Sequence, residues 1–144
     1  MEINIFLAGI FLFICAVTDI KKKKISVVVC VVFLVAGLTV DILYKMESLE
    51  ELGNMWQSFL PGIILILLAV VTKEKIGKGD GLVMVVMGIL LGIEKSLEIF
   101  MTALFLSAVV AIGLIITKKV KRNYEIPFVP FLAVGMCLML LGGV

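Results

Sequence analysis

Six long apolar stretches, separated by short charged segments, dominate the pattern of hydrophobic and polar positions along the chain. Such stretches predict membrane-spanning helices, each of which needs about 20 mainly apolar residues. The first and fourth stretches are shorter, so we expect them either to extend into their polar flanks or to lie where the cytoplasmic edge of the protein is sunk into the membrane. The predicted segments are 3–18, 25–44, 55–72, 81–93, 97–117 and 126–144. The pattern therefore predicts an all-α polytopic membrane protein, a bundle of six transmembrane helices forming one membrane-embedded domain over residues 1–144.

The amino-acid composition supports a location in the lipid bilayer and argues against nucleic-acid binding and against sites that depend on histidine. Hydrophobic residues make up 62% of the 144 positions, and the mean hydropathy of +1.26 is well above that of a soluble domain. The net charge of +2 comes from short basic runs, which do not make a nucleic-acid-binding surface. Because the chain has no histidine, the usual general base and the commonest zinc ligand are absent. Carboxylates remain as acid and base candidates, and we expect no metal and no cofactor.

The basic residues predict how the segments alternate across the membrane, because lysine and arginine accumulate on the cytoplasmic side. With the N-terminus outside, only Lys45 and Lys95 face outward. The other 11 of the 13 basic residues then face the cytoplasm: Lys21, Lys22, Lys23, Lys24, Lys73, Lys75, Lys78, Lys118, Lys119, Lys121 and Arg122. Glu2 stands where a signal peptide would be basic, so we expect the first segment to stay in the membrane.

Two aspartates, Asp19 and Asp80, fall at the cytoplasmic ends of the first and fourth segments. At one depth, two carboxyl groups can share a proton, because partial desolvation disfavours the ionisation of both. The ionised group can then take a proton from an attacking water, while the neutral group hydrogen-bonds the peptide carbonyl oxygen. The pair therefore predicts an aspartic protease site in which the role of each carboxyl group stays open.

Glycines surround Asp80 in the sequence Gly77-Lys78-Gly79-Asp80-Gly81. Glycine allows positive φ and lets another backbone approach closely. We therefore expect the three glycines to form a turn beside which an unfolded substrate segment can lie near the carboxyl group of Asp80.

Three motifs resemble those of the type IV prepilin peptidases. Residues 77–80 (GKGD) are similar to the family's GxGD motif, and residues 18–25 (TDIKKKKI) are similar to its other aspartate motif. Residues 126–133 (IPFVPFLA) resemble the proline and phenylalanine signature that opens the family's last conserved helix. The resemblance implies an aspartic endopeptidase in a prokaryotic plasma membrane, with Asp19 and Asp80 as catalytic residues. Its implied partners are membrane lipid and the prepilin-like precursors of type IV pilus and secretion systems, whose leader peptides it removes at the cytoplasmic face.

The chain departs from the family's pattern in ways that bear on substrate choice more than on catalysis. Many relatives have proline and asparagine at the positions of Ser26 and Val27, and often a lysine at the position of Leu82. The longer relatives also have a cytoplasmic loop with paired cysteines and methylate the new N-terminus. The cysteines here lie singly in apolar stretches, so we interpret them as small hydrophobic residues and predict a compact peptidase without methyltransferase equipment: Cys15, Cys30 and Cys137.

Several alternatives remain open at this point. Asp80 could be the N-cap of a helix, and Asp19 could be an interfacial carboxylate paired with Lys22 or Lys23. The same aspartates could serve as a proton relay in a small ion-coupled transporter, or the chain could be a structural subunit whose glycines pack helices. The oligomeric state is open as well.

Overall fold

The computed structural model describes residues 2–45, 49–72, 77–117 and 126–142, which form six α-helices. These are α1 (Glu2–Lys22), α2 (Val27–Lys45), α3 (Leu49–Val71), α4 (Lys78–Leu91), α5 (Ile93–Ile116) and α6 (Val129–Leu141). No strand occurs within the described ranges. The six predicted apolar segments correspond to the six helices in order, with the fourth segment reaching one residue into α5, and the all-α fold class is confirmed.

Among the described helices, two are long and apolar enough to cross a membrane: Ile3–Lys22, with a mean hydropathy of 2.3, and Ile93–Ile116, with 2.7. Shorter apolar helices are Val27–Leu43, Trp56–Val71 and Val129–Leu141. Helix α4 has 14 residues, about 21 Å along its axis against a hydrocarbon layer of about 30 Å. The bundle of six membrane crossings therefore stays a prediction.

Helix α4 lies at the centre of the helix packing. All residues from Val83 to Leu90 are buried, and α4 contacts α1, α2, α3 and α5. After Asp80 this helix carries no charged residue, and a helix that is apolar on all sides is stable only when it is surrounded. The neighbouring helices thus determine where the first turn of α4, and Asp80 with it, is located.

Small residues let α3 and α4 pack with their backbones close together. A Cβ atom on Gly88 would overlap the carbonyl oxygen of Ser58, and one on Gly62 would overlap the backbone of Val85. Because backbone atoms cannot move aside as a side chain can, this contact requires glycine at positions 62 and 88.

A buried polar pair joins α1 and α2 near the first turn of α1. Nδ2 of Asn4 donates to Oδ1 of Asp41 over 2.9 Å, and both side chains are buried. Oδ1 of Asn4 is buried without a hydrogen-bond partner in the described part of the chain. Positions 4 and 19 are about 22 Å apart along a helix, so Asp41 lies at the opposite end of α1 from Asp19.

Candidate active site

Asp19 lies in the last turn of α1, with 8% of its surface exposed. The helix ends at Lys22, and Lys23 adopts a positive φ of 48° while its N–H donates to the carbonyl oxygen of Asp19 over 2.8 Å. The lysines at 21–24 are exposed, whereas the Asp19 side chain points inward. A carboxyl group buried in this way needs hydrogen-bond donors from the protein itself.

The N-terminus of α6 supplies such a donor. The backbone N–H of Val129 donates to Oδ2 of Asp19 over 3.1 Å, so the contact joins the segment around Asp19 to the proline-containing segment 126–133. Phe128 occupies the N-cap position of α6, where no side chain of the helix forms a cap. Burial and this bond to a distant helix distinguish Asp19 from an exposed interfacial carboxylate, and pairing with Lys22 or Lys23 stays an open alternative.

Asp80 is the third residue of α4. The N-cap is Gly77, with φ −64° and ψ 123°, and no side-chain hydrogen bond caps the helix. The N–H of Asp80 donates to the carbonyl oxygen of Gly77 over 3.1 Å, and its side chain is partly buried. The alternative that Asp80 is itself the N-cap is therefore wrong.

The two carboxyl groups interact electrostatically. Asp80 precedes the apolar stretch 81–93, and its pKa is raised from the ordinary value of 3.8 to about 6. Burial is the larger cause of this higher pKa, because it disfavours the charged form, and the negative charge of Asp19 is the second cause. The structure thus brings Asp19 and Asp80, from two different helices, within electrostatic reach of each other.

Two glycines allow α4 to approach its neighbours at this end. A Cβ atom on Gly79 would lie 2.8 Å from Cδ1 of Ile25 in the connection after α1, and one on Gly81 would lie 2.6 Å from Cγ1 of Ile66 on α3. Both distances are shorter than carbon atoms tolerate. A larger residue at position 79 would therefore push the first turn of α4 away from the connection after α1, and one at position 81 would push it away from α3.

The expectation that the three glycines form a turn is wrong for Gly79 and Gly81, which lie in the first turn of α4, and none of the three uses the positive φ that glycine allows. Among the described residues, only Lys23 and Gly92 have positive φ. Gly77 is exposed, and a Cβ atom there would lie 3.0 Å from Oδ2 of Asp80. Because Gly77 has no side chain, the space directly beside the carboxyl group of Asp80 stays open. The approach of a substrate at Gly77, Gly79 or Gly81 stays a prediction.

Exposed lysines flank the site. The contact between Gly79 and Ile25 places the first turn of α4 beside the connection after α1, and Lys24 and Lys78 are both exposed there. Six further basic residues assigned to the same side lie outside the described residues: Lys73, Lys75, Lys118, Lys119, Lys121 and Arg122.

The sequence did not predict the hydrogen bond from the N–H of Val129 to Asp19. Every residue except proline has a backbone N–H, so the residue type at position 129 does not show which group it binds. The sequence also indicated that the cysteines lie singly, whereas Cys15 and Cys30 are both buried and lie close enough for their thiols to interact. Cys137 is exposed on α6. In the described ranges, no group of three or more histidine, cysteine, aspartate or glutamate residues could hold a metal ion.

The sequence of the chain matches a known protein family and a known relative. Residues 6–116, which include Asp19 and Asp80, match the model of the type IV leader peptidase family. The chain is 25% identical over 151 residues to the prepilin leader peptidase/N-methyltransferase of Bacillus subtilis (strain 168), an alignment that covers 99% of this chain. It spans 58% of the length of that relative. No solved structure matches the chain.

Proposed function

Because this chain belongs to the type IV leader peptidase family, we propose that it is a membrane aspartic endopeptidase that cleaves the leader peptide from prepilin-like precursors. Asp19 and Asp80 are its catalytic residues in this proposal, and residues 1–144 act as one peptidase domain. The observation that carries the proposal is that α1 packs against α4 with Asp19 in the last turn of one helix and Asp80 in the first turn of the other, close enough for the Asp19 charge to raise the pKa of Asp80. Two aspartates that α1 and α4 bring together in this way have the coupling that aspartic protease chemistry uses.

The proposed reaction is the hydrolysis of one peptide bond. Burial and mutual repulsion favour a state in which the pair holds a single proton. The oxygen of a water molecule bonds to the scissile carbonyl carbon as one carboxylate accepts a water proton, and the neutral carboxyl group donates to the carbonyl oxygen. The C–N bond then breaks, and the leaving amine takes up a proton. The described residues supply the two carboxyl groups that this sequence of steps requires.

The proposed substrate class follows from the family and from the relative whose name includes prepilin leader peptidase. That relative is also named as an N-methyltransferase, and our proposal concerns the peptidase activity. We further propose six membrane crossings with the N-terminus outside, so that both aspartates act at the cytoplasmic face of a prokaryotic plasma membrane. Eleven of the 13 basic residues lie on the cytoplasmic side in that orientation.

The proposal is tested by replacing each aspartate with asparagine, which keeps the size of the side chain and removes the acid. We expect Asp19→Asn and Asp80→Asn each to lower kcat for a purified prepilin-like precursor by at least about a thousandfold, since the pair works as one unit. The measurement is cleavage in detergent, with the new N-terminus identified by sequencing.

Asp41→Asn is the matched control. It is the same substitution at the third aspartate of the chain, which is buried at the far end of α1 from Asp19, and we expect it to keep cleavage within about twofold. Retained cleavage by Asp19→Asn or Asp80→Asn, in protein that inserts normally, would remove the proposal. In a transporter with a proton relay, these substitutions would instead abolish ion-coupled uptake into proteoliposomes.

A further inference from the structure

The first turn of α6 has one donor that points away from its own helix. Pro130 has no backbone N–H, and the N–H groups of Phe131 and Leu132 donate to the carbonyl oxygen of Phe128, over 2.9 Å and 3.4 Å. The N–H of Val129 donates to Oδ2 of Asp19 instead. Asp19 thus caps α6 from another helix, where the Phe128 side chain cannot.

A ring contact holds this end of α6 in place. Phe128 packs edge-on against Phe100 of α5, with 5.8 Å between the ring centroids. Val129 and Leu132 are fully buried beside it. The donor that meets Asp19 therefore belongs to a packed helix start rather than to a mobile loop, and it can hold one oxygen of the carboxyl group in a fixed position.

The same bond makes the two aspartates unequal. Oδ2 of Asp19 faces a donor, and a carboxylate oxygen at a helix N-terminus is favoured by the local positive potential. Asp80 also lies in the first turn of a helix, but burial and the Asp19 charge together disfavour its anion and raise its pKa to about 6. The surroundings of the pair thus favour one anion and one neutral acid.

We infer that the N-terminus of α6 is a positioning element for catalysis, in which the N–H of Val129 holds Asp19 as the ionised general base while Asp80 is the neutral acid. This inference rests on the proposed function and assigns the two roles within it. Val129 acts through Asp19, so it is a positioning residue and not a catalytic one.

The assigned reaction balances its protons. Water adds to the carbonyl carbon, Oδ1 of Asp19 accepts a water proton, and Asp80 gives its proton to the carbonyl oxygen, which leaves a tetrahedral diol. Asp19 then passes its proton to the amide nitrogen while Asp80 takes one back from a diol hydroxyl. The C–N bond breaks, and both carboxyl groups return to their first state.

An amide-to-ester exchange tests the positioning role. Replacing Val129 by its α-hydroxy analogue removes the N–H and keeps the side chain, and the same exchange at Val134, an exposed valine of α6, is the matched control. We expect the exchange at 129 to lower kcat for a prepilin-like precursor about tenfold or more, with KM within about twofold. The exchange at 134 should leave kcat within about twofold. Equal losses from both exchanges, or a loss confined to KM, would show that the contact only supports the fold.

A second measurement needs no cleavage. The chain has three aspartates, Asp19, Asp41 and Asp80, so carboxyl-labelled aspartate gives three carbon signals that single asparagine variants assign by NMR. At about pH 5, one unit below the pKa of Asp80, we expect the Asp80 signal to be mainly that of a neutral acid, with the anion of the pair on Asp19. The reverse order would overturn the assignment even if the protein cleaves prepilins. Failure of the unmodified protein to cleave any prepilin-like precursor would count against the proposed function instead, whatever the signals show.

Discussion

Asp19 and Asp80 are the same amino acid at two helix ends, and their surroundings differ. The N–H of Val129 donates to Asp19, whereas Asp80 lies partly buried near a negative charge. The chemical type of each residue can be read from the sequence. The difference between them depends on where α6 begins in space, and no property of positions 19 or 80 alone predicts it.

The raised pKa of Asp80 predicts a descending limb in the pH profile. Asp80 must be neutral to donate to the carbonyl oxygen, and with a pKa raised to about 6 it loses its proton as the pH rises through that value. We therefore expect kcat/KM for a prepilin-like peptide to fall about tenfold per pH unit above about pH 6, since kcat/KM reports the free enzyme.

Steady-state cleavage in detergent measures this limb. Asp41→Asn should reproduce it, because Asp41 lies far from Asp80 at the other end of the bundle. A kcat/KM that stays constant to about pH 8 would contradict the assignment of Asp80 as the acid.

At the scale of elements, the helices are held together by small residues and by polar contacts between distant segments. Gly88 meets the backbone of Ser58 where α3 and α4 cross. Helix α5 presents a different case, since a Cβ atom on Gly113 would have no atom within 4 Å. The sequence shows glycine at both positions, and the packing decides which of them is required.

Alanine substitution at these two glycines should give opposite results. Gly88→Ala forces a methyl group against a backbone carbonyl, and we expect it to lower the free energy of unfolding by about 2 kcal/mol or more. Gly113→Ala enters open space on a helix, and we expect no loss, or a gain of up to about 1 kcal/mol from better helix propensity. Thermal unfolding of the purified proteins in one detergent compares them, and equal losses would contradict the close α3–α4 contact.

For the whole molecule, the described helices have two distinct polar ends. One contains Asp19, Asp80 and the exposed residues Lys24 and Lys78. The other contains the buried pair of Asn4 and Asp41. This arrangement follows from antiparallel neighbours joined by short connections, and the side of the membrane that each end faces stays a prediction.

Cysteine labelling tests the orientation of these ends. With Cys137 replaced by alanine, we expect Lys95→Cys to react in intact cells with a thiol reagent that does not cross membranes. Lys24→Cys and Lys78→Cys should react only after the cells are permeabilised. The two cysteines that remain, Cys15 and Cys30, are buried. We therefore expect them not to react with the reagent. Reaction of positions 24 and 78 from opposite sides of the membrane would exclude a shared site.

The sequence by itself determined the helical fold class, the six apolar segments and the choice of Asp19 and Asp80 as candidates. Hydropathy and charge act over one segment at a time, so they can be read along the chain. Only the tertiary structure decided that α4 lies at the centre, that Gly79 and Gly81 serve close packing with negative φ, and that the N–H of Val129 meets Asp19. These contacts join residues far apart in the chain and depend on how whole helices pack, which no local pattern specifies.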